Sequence, residues 1–319
     1  MRPLIVIRRT PKIDFMRWHV YGLAFSVILT LLTIGLFAAR GLNYGIDFVG
    51  GTLIEVRVNP GPADLAAMRT KIDALHLGEP SLQAFGNAND VLIRLPQQPG
   101  GDAAQQTAVE KVRKAVEDGY EIRRTEVVGP RVSGELVQSG TLGVVMSIIA
   151  VLAYLWFRFE WQFAVGAVIA TMHDLLLTVG FFSITQLEFN TTSIAAILTI
   201  VGYSLNETVV VLDRIREMIR KYKRMSTADI IDLSVNAVLP RTIMTATTVF
   251  LALLSLVIFG GQVIRSFSLA MMWGIFVATY SSVFICSPML IYLGLRSDSV
   301  EPVPAPEERT ETKPRAKVA

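Results

Sequence analysis

The amino-acid sequence predicts a membrane protein: an all-α bundle of six transmembrane helices, with one α+β domain inserted on the extracytoplasmic side after the first helix. Three observations carry this. Six apolar segments each reach the length of about 20 residues that a hydrocarbon core of roughly 30 Å demands. The stretch between the first two has the mixed composition of an ordinary soluble domain. Lys and Arg gather on flanks that share one side if every apolar segment crosses.

Composition excludes several classes. The 319 residues hold 30 Lys+Arg against 27 Asp+Glu, a net charge of +3, and so small an excess points to no nucleic-acid partner. Apolar residues make up 52%, concentrated in long uncharged runs that rule out a purely water-soluble enzyme. Cys286 is the only cysteine, which excludes an intramolecular disulfide, a thiolate zinc cluster and a CxxC redox pair.

Taken in order, the first segment, Trp18 to Ala39, carries no charge until Arg40. It exceeds the roughly 7–15 apolar residues of a signal peptide and reads as an uncleaved anchor. Val137 to Phe157 follows, then Phe163 to Ile184 with His173 and Asp174, and Asn190 to Leu212 with Glu207. Arg241 to Phe259 and Phe267 to Leu295 complete the set. Arg2, Arg8, Arg9, Lys12 and Arg17 set the N-terminus in the cytoplasm, and the basic run Arg214 to Arg224 and the residues after Arg296 fall on the same side.

The expected partition is therefore a cytoplasmic N-terminus over 1–17, the first span over 18–39 and a periplasmic domain over 40–136. Five further helices fill 137–295, with a basic cytoplasmic segment at 213–240, read either as an amphipathic helix on lipid or as a plain loop. A disordered, proline-containing tail occupies 296–319. Asp213, with Arg214 and Arg216, is expected to mark the cytoplasmic exit of the fourth span.

In the outer domain, Thr52 to Val58 alternates as a half-buried strand does. Asp64 to Leu77 reads as a helix, Leu82 to Phe85 and Val91 to Leu95 as strands joined by a turn over Gly86 to Asp90, Ala103 to Glu117 as a helix and Glu121 to Val128 as a last strand. That order, βαββαβ, predicts a ferredoxin-like sandwich. Its 10 basic and 13 acidic residues between Gly41 and Glu135 are interspersed, as on a solvated surface, and nothing in it looks catalytic.

Gly45, Asp47, Gly50 and Gly51 form a glycine-rich element just after the first span. A phosphate-binding P-loop would need a Lys-Ser/Thr pair opening a helix, whereas here a strand pattern follows. A tight turn at the membrane exit is expected instead.

Ionisable groups at membrane depth need a partner or a task. Thr171, Asp174 and Thr178 share a face of the third span, Tyr203 and Glu207 one of the fourth with Asn206 beside them, and Arg241, Thr245, Thr248, Ala252 and Ser255 one of the fifth. Glu207 and Arg241 are expected to meet across neighbouring helices, either as a proton relay, with the arginine tuning the acid, or as a static salt bridge. Asp174 admits the same two readings. His19, His76 and His173 lie on separate elements and there is no HExxH, so neither a metal site nor an enzyme is expected.

The residues also carry a resemblance. Gly45-Ile46-Asp47-Phe48-Val49-Gly50-Gly51, Arg158-Phe159-Glu160-Trp161, His173-Asp174, Ile200-Val201-Gly202-Tyr203-Ser204-Leu205-Asn206, Asp213-Arg214-Ile215-Arg216-Glu217, Arg241-Thr242 and Phe259-Gly260-Gly261 are similar to motifs of the SecF family. Its members are the smaller membrane subunits of the bacterial SecD-SecF complex, in the resistance-nodulation-division superfamily. The resemblance implies an inner-membrane subunit that uses the proton-motive force to assist polypeptide export. It implies protons as coupling ion and no other cofactor. The implied partners are a SecD-like subunit, a SecYEG-type channel, YajC, translocating unfolded polypeptide and membrane lipids. It also implies that Glu207, where the family usually has Asp, and Arg241 form the charged pair tied to proton passage. Half of a small-molecule or lipid exporter, or a non-transducing assembly scaffold, remain alternatives.

Overall fold

The computed structural model describes residues 11–295 apart from 59–60, 86, 118 and 262–263. The tail 296–319 and most of the basic N-terminus, including Arg2, Arg8 and Arg9, lie outside the described residues. A short 3-10 turn at Phe15–Trp18 leads into α1 (His19–Arg40). The chain then forms one helical turn, α2 (Ile46–Val49), and enters the outer domain as β1 (Gly51–Val58). The domain continues through α3 (Leu65–Asp73), β2 (Ser81–Phe85), β3 (Asn87–Leu95), α4 (Gly101–Ala115) and β4 (Tyr120–Val128). Five long apolar helices follow: α5 (Pro130–Arg158), α6 (Trp161–Thr185), α7 (Thr191–Lys221), α8 (Thr227–Phe259) and α9 (Arg265–Ser281). A π-helical turn at Ser282–Cys286 joins α9 to α10 (Ser287–Tyr292), so that Arg265–Tyr292 forms the last span. Among the described residues, six helical segments are long and apolar enough to cross a bilayer.

The four strands form one antiparallel sheet in the order β2-β3-β1-β4, with Thr52 opposite Leu95 and Val127. Alternation decides its two faces. Ile54, Val56, Val91 and Ile93 turn to one side and pack on Met68 and Ile72 of α3 and on Val112 and, just past α4, Val116. Leu53 and Leu92 turn to the other side, where Ile46 of α2 fills the space between them. Asp64 starts α3 by accepting the amides of Ala66 and Ala67, each at 3.0 Å, the N-cap role its short carboxylate suits.

Several boundaries move. β3 begins at Asn87, where a turn to Asp90 is expected from Asn and Asp; cross-strand pairing overrides that local preference. The expected Val137 start of the second span becomes Pro130, because proline at the first helical turn costs no hydrogen bond. α8 begins at Thr227, not Arg241, capped by Ser226, and Pro240 lies inside it without ending it. The basic segment 213–240 is thus neither a loop nor a separate surface helix. It is the end of α7, a short turn and the start of α8.

The two ends of the bundle are tied by different contacts. At one end Asn236 Nδ2 donates to the Ile13 carbonyl at 2.8 Å, Met16 N donates to Asp232 Oδ1 at 2.9 Å, and Thr227 Oγ1 donates to the Leu295 carbonyl at 3.1 Å. At the other end, Tyr44 before the outer domain bridges to Phe189 in the α6–α7 turn. The start of the described chain, the α7–α8 turn and Leu295 therefore share one end, and the outer domain sits at the opposite one.

Candidate functional site

Two polar assemblies stand out, one inside the bundle and one where the outer domain meets it. Inside, Asp174 of α6 is 1% exposed. Its Oδ2 accepts from Ser204 Oγ of α7 at 2.6 Å and from Ser281 Oγ of α9 at 2.7 Å, and its Oδ1 lies 3.1 Å from His173 Nδ1. One carboxylate thus joins three helices, its lone pairs satisfied as a buried acid requires.

One turn along α7 from Ser204, Glu207 is 3% exposed and accepts from the Thr242 hydroxyl of α8. Ser204 and Glu207 share a helix face because residues three apart do. Two hydrogen-bonded groups, Asp174 with Ser204 and Ser281 and Glu207 with Thr242, therefore lie along one polar seam across α9, α6, α7 and α8. The half-buried Tyr203 contributes a hydroxyl, and Thr208 another, each without a hydrogen bond among the described residues.

The remaining expected residues fall outside this seam. Arg241 is exposed and forms no ion pair among the described residues, so the expected Glu207–Arg241 contact is not made within this chain. The reason is geometric: consecutive helical residues point about 100° apart, and it is Thr242 that faces α7. Asn206 is also exposed. Thr245 and Thr248 bond back to the carbonyls of Arg241 and Met244, and Thr171 and Thr178 to those of Ala167 and Asp174, the usual helical use of a threonine hydroxyl. Asp213, at the end of α7's apolar stretch, takes both its bonds at 2.8 Å from Arg158 of α5 rather than from its basic neighbours.

Sequence reasoning assigned no site role to Ser204 or Thr242, though both lie in the quoted motifs, and did not name Ser281. Ser204 carried a readable signal, three residues before Glu207. Ser281 lies more than a hundred residues from Asp174, and its signal is only a hydroxyl in an apolar run.

The second assembly is built on the glycine-rich element. Ile46, 3% exposed, seats against the sheet, while its neighbour Asp47 turns to the bundle and accepts from Thr191 N at 2.9 Å and Thr191 Oγ1 at 2.7 Å. Thr191 is the first residue of α7, so Asp47 supplies a carboxylate to the positive end of that helix. Gly45 lets the linker approach the α6–α7 turn closely, since a Cβ there would lie 2.6 Å from Glu188 Oε1 and displace that side chain. Gly51, at φ 122°, takes a backbone angle open to few other residues. From β3, Arg94 reaches Glu188 Oε2 at 2.9 Å, Asn43 Oδ1 at 3.3 Å and the Tyr44 carbonyl at 3.2 Å. Burial pushes the Glu188 carboxyl above its usual range, and the Arg94 guanidinium pulls it back.

Fold and site together define a multi-spanning membrane protein with a docked extramembranous α+β domain and carboxylates buried among its helices. Two family models match: "Protein export membrane protein SecD/SecF, C-terminal" over residues 108–296, and "SecD/SecF GG Motif" over 35–61, which includes Gly45 to Gly51. The chain is 42% identical to protein translocase subunit SecF of Rickettsia bellii, over 90% of this chain and 95% of that one. It is 40% identical to SecF of Vibrio alginolyticus over 96% and 98%. Against protein translocase subunit SecDF of Brucella abortus the identity is 42%, over 92% of this chain but only 39% of that longer one. A crystal structure of SecDF, a translocon-associated membrane protein from Thermus, superposes with a TM-score of 0.79 at 34% identity, covering 92% of this chain and 40% of that one. The chain belongs to the SecD/SecF family of protein-export membrane proteins, and along nearly its whole length it aligns with the SecF subunits.

Proposed function

We propose that this accessory subunit of the Sec translocase couples proton movement through the buried seam to assistance of polypeptide export, working against a SecD-like subunit. The observation that carries the reading is Glu207: a carboxyl group held 3% exposed at membrane depth, with a threonine hydroxyl as its described partner. An acid there costs roughly 2.5–3.5 kcal/mol on insertion scales, which favours a group with a task. A proton crossing 100 mV releases about 2.3 kcal/mol, and it biases a conformation only insofar as protonation favours one state over another.

Exposure in the isolated chain supports the partner. Ala195, Thr199, Gly202 and Asn206 on α7, with Arg241, Thr248, Ala252 and Ser255 on α8, present small, polar and charged groups where lipid tails would otherwise lie. Small and polar stripes suit helix packing, and an arginine at this depth calls for a carboxylate. In this reading the SecD-like subunit covers the stripe and supplies the acid that Arg241 lacks here. Within the complex Arg241 then tunes that acid and, across α8, Glu207.

The same reading sets both termini in the cytoplasm of the inner membrane, from the Lys and Arg distribution, and the outer domain in the periplasm beside a SecYEG-type channel, YajC and the emerging chain. Strand order β2-β3-β1-β4 with two helices on one face supports the ferredoxin-like assignment of that domain.

The test is Glu207→Gln and Arg241→Met in the full complex with its SecD-like partner. Proton-driven export should fall at least tenfold with the complex still assembled. Unchanged export in both variants would overturn the proton reading and leave an assembly scaffold.

A further inference from the structure

Consecutive residues of α2 face two different bodies: Ile46 packs into Leu53 and Leu92 of the outer sheet, and Asp47 binds the first residue of α7 through Thr191 N and Oγ1. Around this point the linker is clamped to the α6–α7 turn by backbone bonds, Gly45 N to the Phe189 carbonyl at 2.8 Å and Phe189 N to the Asn43 carbonyl at 2.7 Å. Arg94 adds the outer domain's own side chain to Glu188. The other tether has no slack either, since Gly129 alone separates β4 from α5. Gly134 already lies inside α5.

We infer that Asp47 is a positioning residue that makes the outer domain and α7 move as one body, so that displacement of α7 at Glu207 reaches the domain through the Asp47–Thr191 contact. This rests on the proton reading above and adds its mechanical route. Glu207 lies sixteen residues from Thr191, about 24 Å along one continuous helix. α7 is firmly started: Asn190 and Ser193 form a reciprocal capping box beside the Asp47 contact. A helix so capped transmits axial shift or rotation without losing it in a frayed first turn. The Gly41 region, where the backbone takes φ 62°, bends the chain out of α1 but stands upstream of the clamp and is bypassed by it.

The test uses the full chain with its SecD-like partner in membrane vesicles. One fluorescent label is placed at the exposed Gln106 of α4 and another, in a separate sample, at the exposed Arg220 of α7. An acid jump should move both labels in the unsubstituted protein. In Asp47→Ala the Arg220 label should still respond while the Gln106 response falls about tenfold, and proton-driven export should fall with it. Thr191→Ser, which keeps both donors, should behave as the unsubstituted protein. A disulfide between Tyr44→Cys and Phe189→Cys, which pair as a β-bridge, should restore the Gln106 response in Asp47→Ala when oxidised and lose it when reduced. A Gln106 response that survives Asp47→Ala intact overturns this inference alone. So does a disulfide that blocks the otherwise unsubstituted protein, since the joint would then have to open. An Arg220 label that never responds overturns the proton reading and this inference with it.

Discussion

The Thr242 hydroxyl of α8 donates to the Glu207 carboxylate of α7, while Arg241, one residue earlier, turns out of the bundle. A buried carboxylate that loses a donor costs about 1–3 kcal/mol. Thr242→Val should therefore lower the thermal stability of the purified complex, and Thr242→Ser should restore it. An unaltered melting curve for the valine variant would show that Glu207 is held by something else.

Asp174 ties α6 to α7 and α9 through Ser204 and Ser281. Because both hydroxyls serve one oxygen, their removal should be non-additive. Ser204→Ala and Ser281→Ala should each cost about 1 kcal/mol, and the pair should differ from the sum by at least about 0.5 kcal/mol. Denaturant titration of the four proteins measures the cycle, and strict additivity would dissolve the network.

Gly45 approaches the α6–α7 turn so closely that a methyl group would meet Glu188 and the Asn190 side chain. Gly45→Ala should push Glu188 aside and loosen its pairing with Arg94. A larger substitution, Gly45→Leu, should leave the sheet folded but raise protease access to the linker 41–50. Equal cleavage of parent and variant would contradict this.

Arg57 holds Asp90 by two bonds, Nε to Oδ1 at 2.6 Å and Nη2 to Oδ2 at 2.8 Å. That contact depresses the Asp90 carboxyl below its ordinary value of 3.8, against the opposing effect of its burial. A depressed acid stabilises the folded domain above its unfolded value, and the contribution is lost as pH falls through the folded one. Arg57→Gln should therefore weaken the domain at neutral pH and match the parent in strong acid. Hydrogen exchange of β1 and β3 amides in the intact protein, corrected for intrinsic rates, reads this. A gap between the two proteins that stays constant with pH would refute it.

The spans and the succession of strands and helices along the outer domain were legible because they rest on long-wavelength signals: runs of about twenty apolar residues, and period-two alternation in β1. Their ends were less so. Pro240 reads as a helix boundary in sequence, yet neighbouring helices carry α8 through it, as packing in a bilayer permits. The glycine-rich element announced a turn at the membrane exit, and Gly51 supplies the positive φ expected of one. That Asp47 within it caps α7 was hidden, because 144 residues separate it from Thr191 and a cap leaves no periodic trace at that range. Glu207 and Arg241 were found by the rarity of charge in apolar runs. Which face of α8 each neighbour occupies needed the register of α7 against α8, and one residue of rotation exchanges Arg241 for Thr242.

The start of the described chain and Leu295 emerge at the same end of the bundle, tied there by Asn236 and Thr227. A second polypeptide whose own ends open on that face can consequently be joined in tandem to either terminus by a modest linker.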